Sequence, residues 1–209
     1  MTANMKALAH ATESILTVSP DSGRGFVVAT ERECYVITAA HCLPRLPVPH
    51  PWATEERTYR NLIGRSGTKP CVWAECVFVD PVADIAVLAQ PDGQELFEEY
   101  EAFDELVKSA TPLQIATCLP RFESQAFLFS LDNDWFPCKA IGHRRLCIKD
   151  AGKGILGGMS GSPILNHEGA AIGVVSCGSD DRPTEGGPHP RLDYNLPGWL
   201  LRELEIFDT

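Results

Sequence analysis

Apolar and β-branched residues along this chain come in short runs broken by turn residues, not in long helical stripes. Ser14-Ile15-Leu16-Thr17-Val18 is the first such run, closed by Pro20-Asp21-Ser22-Gly23, whose residue types favour a turn. Gly25-Phe26-Val27-Val28-Ala29-Thr30 and Cys34-Tyr35-Val36-Ile37-Thr38 flank the polar Glu31-Arg32-Glu33, the pattern of a hairpin with β-branched and aromatic strands. Residues 43 to 57 hold Pro44, Pro47, Pro49 and Pro51 and read as loop. Strand patterns return at Asn61-Leu62-Ile63-Gly64 and at Val72 to Val79. They continue after Asp80-Pro81 at Ile85-Ala86-Val87-Leu88. Six short strands at this spacing predict a small antiparallel barrel.

Between Pro91 and Ser109 the period changes. Leu96, Tyr100, Phe103 and Val107 recur at helical spacing, and seven acidic residues face the single base Lys108. This predicts a short amphipathic helix joining two lobes, its acids forming a solvated face or, as the functional alternative, a docking patch. A second strand-rich half follows at 113–116, 125–131, 135–141, 146–148, 163–165 and 171–176. From Asn195 to Ile206 the pattern is helical again, with Asn195 as the expected N-cap and Leu200, Leu201 and Leu204 as its apolar stripe. The expected organisation is a first lobe over 1–95, an acidic linker over 96–110 and a second lobe with the terminal helix over 111–209.

Composition narrows the function. A chain of 209 residues at 44% hydrophobic can bury a sizeable core. A net charge of −10 argues against a phosphate-binding surface and so against nucleic acid as partner. No window approaches the apolar length of a membrane span. The first ten residues carry one lysine and no continuous apolar core, so they do not read as a signal peptide. Without an export signal the eight cysteines are expected as thiols in a reducing, cytoplasmic setting. Cys71 and Cys76 have no matching Cys/His pair and are read as structural rather than as a zinc site.

The stretch with the most chemistry is Gly157-Gly158-Met159-Ser160-Gly161-Ser162-Pro163. A serine hydroxyl needs a base to take its proton and donors to hold the oxyanion that follows its attack. Glycines beside Ser160 permit a tight turn that aims the Gly158 and Ser160 N–H groups at one point. The base must titrate near neutrality, which limits the search to His10, His41, His50, His143, His167 and His189. His10, His50 and the proline-flanked His189 read as exposed, and His143 and His167 as surface residues at strand ends. His41 differs, because a β-branched strand runs through the small Thr38-Ala39-Ala40 straight into it. Asp84 leads into an apolar strand and needs a partner if buried, which fits a carboxylate that orients the imidazole. The rival Asp80 precedes Pro81 and looks like turn chemistry.

Thr38-Ala39-Ala40-His41-Cys42, Asp84-Ile85-Ala86-Val87-Leu88 and Gly158-Met159-Ser160-Gly161-Ser162-Pro163 together resemble the three signature blocks of the chymotrypsin/trypsin-like serine peptidases. They stand in that family's order and at similar separations. A fourth block, Val175-Ser176-Cys177-Gly178, resembles the strand that lines the cleft and pairs with substrate. The α/β-hydrolase alternative fails, because Ser162 stands where its last glycine is required and the αβ alternation is missing. The resemblance implies an all-β fold of two six-stranded antiparallel barrels with a C-terminal α-helix. It implies His41, Asp84 and Ser160 as catalytic residues, and Gly158 and Ser160 as the oxyanion hole. It places Gly154, Ser176, Cys177 and Gly178 in substrate binding. No cofactor or metal is implied, and the partner is a protein or peptide substrate, with an activating protein as a further possibility.

The departures matter as much. Asp21 to Val28 holds no cysteine to pair with Cys42, so the disulfide of the secreted members is not expected. Met159 stands where digestive members carry the aspartate that captures a new N-terminus, which rules out that activation. The oxyanion hole is either preformed or formed by another event. Gly154 falls at the base of the primary pocket, so an uncharged P1 residue is expected rather than Arg or Lys. Cys177 replaces a bulkier aromatic and widens the cleft there. Two further readings stay open: a peptidase silent until a partner docks, and a pseudo-enzyme that uses the fold for binding.

Overall fold

The computed structural model describes residues 5–19, 23–48, 54–116, 123–142, 144–178 and 182–205. Its first half is the closed barrel that the six apolar runs predict. The strands are β1 (Ile15–Val18), β2 (Gly23–Ala29), β3 (Cys34–Thr38), β4 (Thr58–Arg65), β5 (Val72–Asp80) and β6 (Ile85–Ala89). They close in the order β1-β2-β3-β6-β5-β4, antiparallel throughout, with Val27 opposite Val36 and Ile37 opposite Val87. All five residues of β6 are buried, which explains why its sequence is apolar without alternation. Two helices flank this half: α1 (Met5–Thr12), which the sequence pattern did not predict, and the single turn α2 (Thr54–Arg57).

The predicted connecting helix is α3 (Phe97–Lys108). Phe103, Leu106 and Val107 are buried against the first barrel, while Glu98, Glu101 and Glu105 face solvent. The second half holds β7 (Ser124–Phe129), β8 (Trp135–Gly142), β9 (Arg145–Lys149), β10 (Pro163–Asn166), β11 (Ala171–Val174) and β12 (Gly186–Pro190). Their sheet order is β11-β10-β7-β8-β9-β12, and a bridge between Gly173 and Arg191 draws its two end strands together into a nearly closed barrel.

Three expectations change. The run at 113–116 forms no strand, and only Ile115 bridges to Ala171. The sixth strand is β12 instead, whose Gly186-Gly187-Pro188-His189-Pro190 looks like turn chemistry but lies at the end of the sheet, where proline costs no ladder bond. Asn195 does not cap the terminal helix. It ends α4 (Leu192–Asn195), its Oδ1 accepts the Arg191 N–H at 3.0 Å, and Pro197 forces a break before α5 (Gly198–Glu203). Leu200 and Leu201 are buried as expected, and Trp199 meets Tyr35 of β3 edge-on, with ring centroids 5.5 Å apart.

Arg24 couples the two lobes. From β2 its guanidinium donates to the carbonyls of Phe129 (3.1 Å) and Ser130 (3.0 Å) in the second lobe and lies over the Phe129 ring. No helix among the described residues is long and apolar enough to cross a membrane.

Candidate active site

His41 lies in a single 3-10 turn, Ala40–Cys42, that ends β3. Its backbone N–H donates to Asp84 Oδ1 at 2.9 Å, and its ring Nδ1 lies 2.7 Å from Asp84 Oδ2. A carboxylate only accepts, so Nδ1 carries the proton and Nε2 is left as the acceptor. The buried Ala39 and Ala40 leave room for this close approach. Asp84 is set by the turn before β6: Asp80 Oδ1 accepts the Val82 and Ala83 N–H groups, both at 2.9 Å, and Asp84 follows with φ +63°. Aspartate tolerates that left-handed conformation better than a bulky residue does. Asp80 is therefore the turn residue the sequence suggests. The Ser176 hydroxyl, 92 residues away in the chain, also donates to Asp84 Oδ2, at 2.5 Å.

These contacts set the charges. Burial pushes the Asp84 carboxyl up, but hydrogen bonds from the His41 ring, the Ser176 hydroxyl and the His41 N–H outweigh it and leave it below its ordinary value. The hydrogen bond to Asp84 holds the His41 imidazole above its ordinary 6.5 against partial burial.

Ser160 sits on the turn over 157–161, with Gly158 at φ +88° and Gly161 at φ +81°. Met159, buried, anchors this turn: its Sδ accepts the Leu156 N–H at 3.3 Å, and its own N–H donates to the Leu156 carbonyl at 3.1 Å. The Ser160 carbonyl accepts the Arg24 N–H at 2.8 Å, and the Gly161 N–H donates to Val175 at 2.8 Å. Ser160 is thereby tied to β2 on one side and to the residues just before Ser176 on the other. Neither the Gly158 nor the Ser160 N–H donates to a described residue, so both remain available to an incoming oxyanion. Ser160 Oγ makes no hydrogen bond with any described residue, the His41 ring included.

The remaining predicted residues also lie here. Ser176 is half-buried at Asp84, and Cys177 and Gly178 are exposed, with Gly178 bridging Gly186 of β12. Gly154 is buried with φ +76°, and a β-carbon there would lie 3.2 Å from the Pro183 carbonyl. Asp150 and Lys153 pair on the surface with Lys139 (3.0 Å) and Asp134 (3.1 Å). A cavity of about 480 Å³ runs between the lobes beside Gly158, lined among others by Gly23, Arg24, Lys69, Leu131 and Asn133. Burial pushes the Cys42 thiol up to about 11, so it is inert, and its Sγ rests against Gly23.

Two features escape sequence reasoning. One is the Ser176–Asp84 bond. The other is His189, expected to be exposed, which is fully buried with its Nδ1 accepting the Ser176 N–H at 3.1 Å. His167 is exposed as expected, and His10 is exposed but lies within α1. His50 and His143 lie outside the described residues.

Two barrels with His41 and Asp84 on one and Ser160 on the other constitute a chymotrypsin-like fold. No protein-family model matches the sequence, and no curated protein matches it. Among solved structures the chain is similar to the inactive form of the Rv3671c protease at 18% identity, over 97% of this chain and 94% of that one, with a TM-score of 0.61. The active form of Rv3671c from M. tuberculosis superposes at 17% identity over 99% and 87%, TM-score 0.58. The serine endoprotease from Yersinia pestis does so at 14% identity over 88% and 61%, TM-score 0.54. At these identities the likeness is one of fold.

Proposed function

We propose that this chain is a serine endopeptidase that hydrolyses peptide bonds through an acyl-enzyme. The carrying observation is the hydrogen-bonded His41–Asp84–Ser176 cluster beside a Ser160 turn whose Gly158 and Ser160 N–H groups are unspent. In this reading Ser160 Oγ attacks the substrate carbonyl carbon as His41 Nε2 takes its proton. The resulting oxyanion accepts from the Gly158 and Ser160 N–H groups. Asp84 holds the Nδ1–H tautomer and stabilises the imidazolium, which then protonates the departing amine as the C–N bond breaks. Water, deprotonated by His41, resolves the acyl-enzyme in the same way. Trypsin-like preference for cationic P1 residues is not part of the proposal, since no carboxylate accompanies Gly154. The free state of Cys34, Cys42, Cys71, Cys76, Cys138, Cys147 and Cys177 supports placing the protein in a reducing cytoplasm.

A second reading, that the chain stays silent until a partner docks, draws on the missing Ser160–His41 hydrogen bond and on a narrow primary pocket. A β-carbon on Gly178 would lie only 2.6 Å from the Ile155 carbonyl oxygen. Labelling with a fluorophosphonate probe tests both readings. Wild type is expected to label, whereas Ser160→Ala and His41→Ala are not. A silent wild type favours the activator reading, and labelling that survives Ser160→Ala refutes the assignment of the nucleophile.

The pH profile has a defined direction. His41 must be neutral to act as base and is held above 6.5, so the rate of labelling is expected to rise through a midpoint above 6.5. A midpoint at or below that value contradicts the Asp84 pairing. Stability follows the opposite sign for the histidine: its contribution is complete below 6.5 and is lost as pH rises through the folded value. The Asp84 contribution is present above 3.8 and is lost as pH falls through its lower folded value.

A further inference from the structure

Arg24 is a half-buried cation that no described carboxylate accompanies. The two carbonyls it grips, Phe129 and Ser130, both accept from Nη1, and the guanidinium lies over the Phe129 ring. The Nε–Nη2 edge can meet a carboxylate in two parallel hydrogen bonds, and it donates to no described residue. Burial holds the guanidinium below its ordinary value, with no neighbouring carboxylate to raise it again. A charge drawn partly out of water without a counter-ion is costly, which favours a ligand that brings one.

Arg24 lines the interlobe cavity of about 480 Å³ that reaches Gly158. Lys69 lines it too, exposed and in no ion pair with a described carboxylate. None of the lining residues is acidic, although the whole chain carries a net charge of −10. Asp132 and Asp134, which flank the lining residue Asn133, lie 4.0 Å and 3.1 Å from Lys153 and are spent on it. Pro70 and Leu131 add an apolar wall. The cavity therefore suits an anionic head on a short apolar stem.

Its position says which part of a substrate arrives there. The Ser160 turn is held to β2 by the Arg24 N–H and to Val175 by the Gly161 N–H. In the endopeptidase reading the acyl half of the substrate runs along 176–178. The half beyond the scissile bond then leaves on the opposite side, past Gly158 toward Gly23 and Arg24. Successive residues of an extended chain point to opposite faces, so one of P1′ and P2′ turns into the cavity.

We infer that Arg24 and Lys69 form a carboxylate-binding subsite for the leaving half of the substrate. It takes either an Asp or Glu side chain at P1′ or P2′, or the C-terminal carboxylate of a substrate that ends there. This rests on the endopeptidase reading above and names its substrate class. The Nε–Nη2 edge of Arg24 receives both carboxylate oxygens in its plane, and Lys69 adds charge from the rim. A carboxamide fits worse, because it offers one oxygen and brings two further donors to a set of donors. Lys and Arg are repelled.

The test uses internally quenched peptides identical up to the scissile bond, on wild type and on Lys69→Glu. One arm places Glu or Gln at P1′ or P2′ of a long, amidated leaving half. The other ends a Gln peptide at P2′ with either a free carboxylate or an amide. Wild type is expected to favour the carboxylate by about fivefold or more in kcat/KM in one arm, and which arm responds names the source. The preference is expected to shrink in high salt, and Lys69→Glu to bring the paired peptides within about twofold. Each ratio is read within one protein, so a general loss of rate leaves it unmoved. Cleavage with no carboxylate preference in either arm, or a preference of wild-type size in Lys69→Glu, overturns the inference and leaves the endopeptidase reading intact. If wild type does not cleave, or Lys69→Glu fails to fold, arginine-nitrogen NMR on wild type decides, with the same leaving-half peptides as probes. A shift of the Arg24 Nε–H resonance by the carboxylate peptides alone supports the inference, and equal or absent shifts overturn it. Absent cleavage counts only against the endopeptidase reading.

Discussion

Asp84→Asn is expected to lower kcat on a peptide substrate by about ten-thousandfold while leaving a cooperatively folded protein. Asp84 Oδ2 receives two hydrogen bonds, from His41 Nδ1 and Ser176 Oγ, and Oδ1 receives the His41 N–H. A carboxamide has a single oxygen to share among three donors. If that oxygen faces the His41 N–H, its –NH2 faces the ring and drives the imidazole to the Nε2–H tautomer. That tautomer presents a proton to Ser160 where a lone pair is needed. The Ser176 hydroxyl can rotate to accept from the amide, so the fold tolerates the exchange and the defect falls on chemistry. Fluorogenic hydrolysis and a thermal melt together check this. A loss below about tenfold, or a collapse of the melt, contradicts the assigned role.

Gly161→Ala is expected to cost more than about 4 kcal/mol, a large part of the stability of a protein this size. Gly161 has φ +81°, and a β-carbon there would lie 1.8 Å from the Arg24 carbonyl oxygen and 2.6 Å from Thr38 Oγ1. The obstacle is backbone, so no rotamer change relieves it. Relief requires separating the Ser160 turn from β2, which breaks the bond from the Arg24 N–H to Ser160, and β2 is where Arg24 grips the second lobe. The expected result is a lost or strongly lowered melting transition, and a variant that melts like wild type refutes this account of the interface. Gly157, with nothing within 4 Å of its absent side chain, is the matched control, expected to tolerate alanine within about 0.5 kcal/mol.

The two barrels and the three candidate reacting side chains were legible because each rests on local pattern. Short apolar runs between turn residues are enough to place β1 to β6, and small residues before His41 and an apolar strand after Asp84 mark both positions. What was hidden depends on residues far apart in the chain. The Ser176–Asp84 bond spans 92 positions, and nothing around Ser176 signals that its hydroxyl turns to a carboxylate. His189 was misread because prolines on either side suggest exposure. Its burial comes from β12 lying at the end of a sheet, beside β9 and against Ser176, a placement that only the assembled lobe defines. The N-cap expected at Asn195 failed for a local reason, the fixed φ of Pro197 two residues on.

The division of the site between lobes sets an order of events as the chain is made. The first barrel, with His41 and Asp84 already paired, can be complete long before Ser160 emerges, since lobes fold in turn during synthesis. On the proposed mechanism a half-made chain therefore holds the base without its nucleophile. After Ser160 in the chain come α4 and α5, whose Leu192, Leu200 and Leu201 cover apolar surface continuous with the first barrel's core. Their docking on the first barrel's core can follow only once Ser160 has been made, so the proposed nucleophile and the proposed base meet late in assembly.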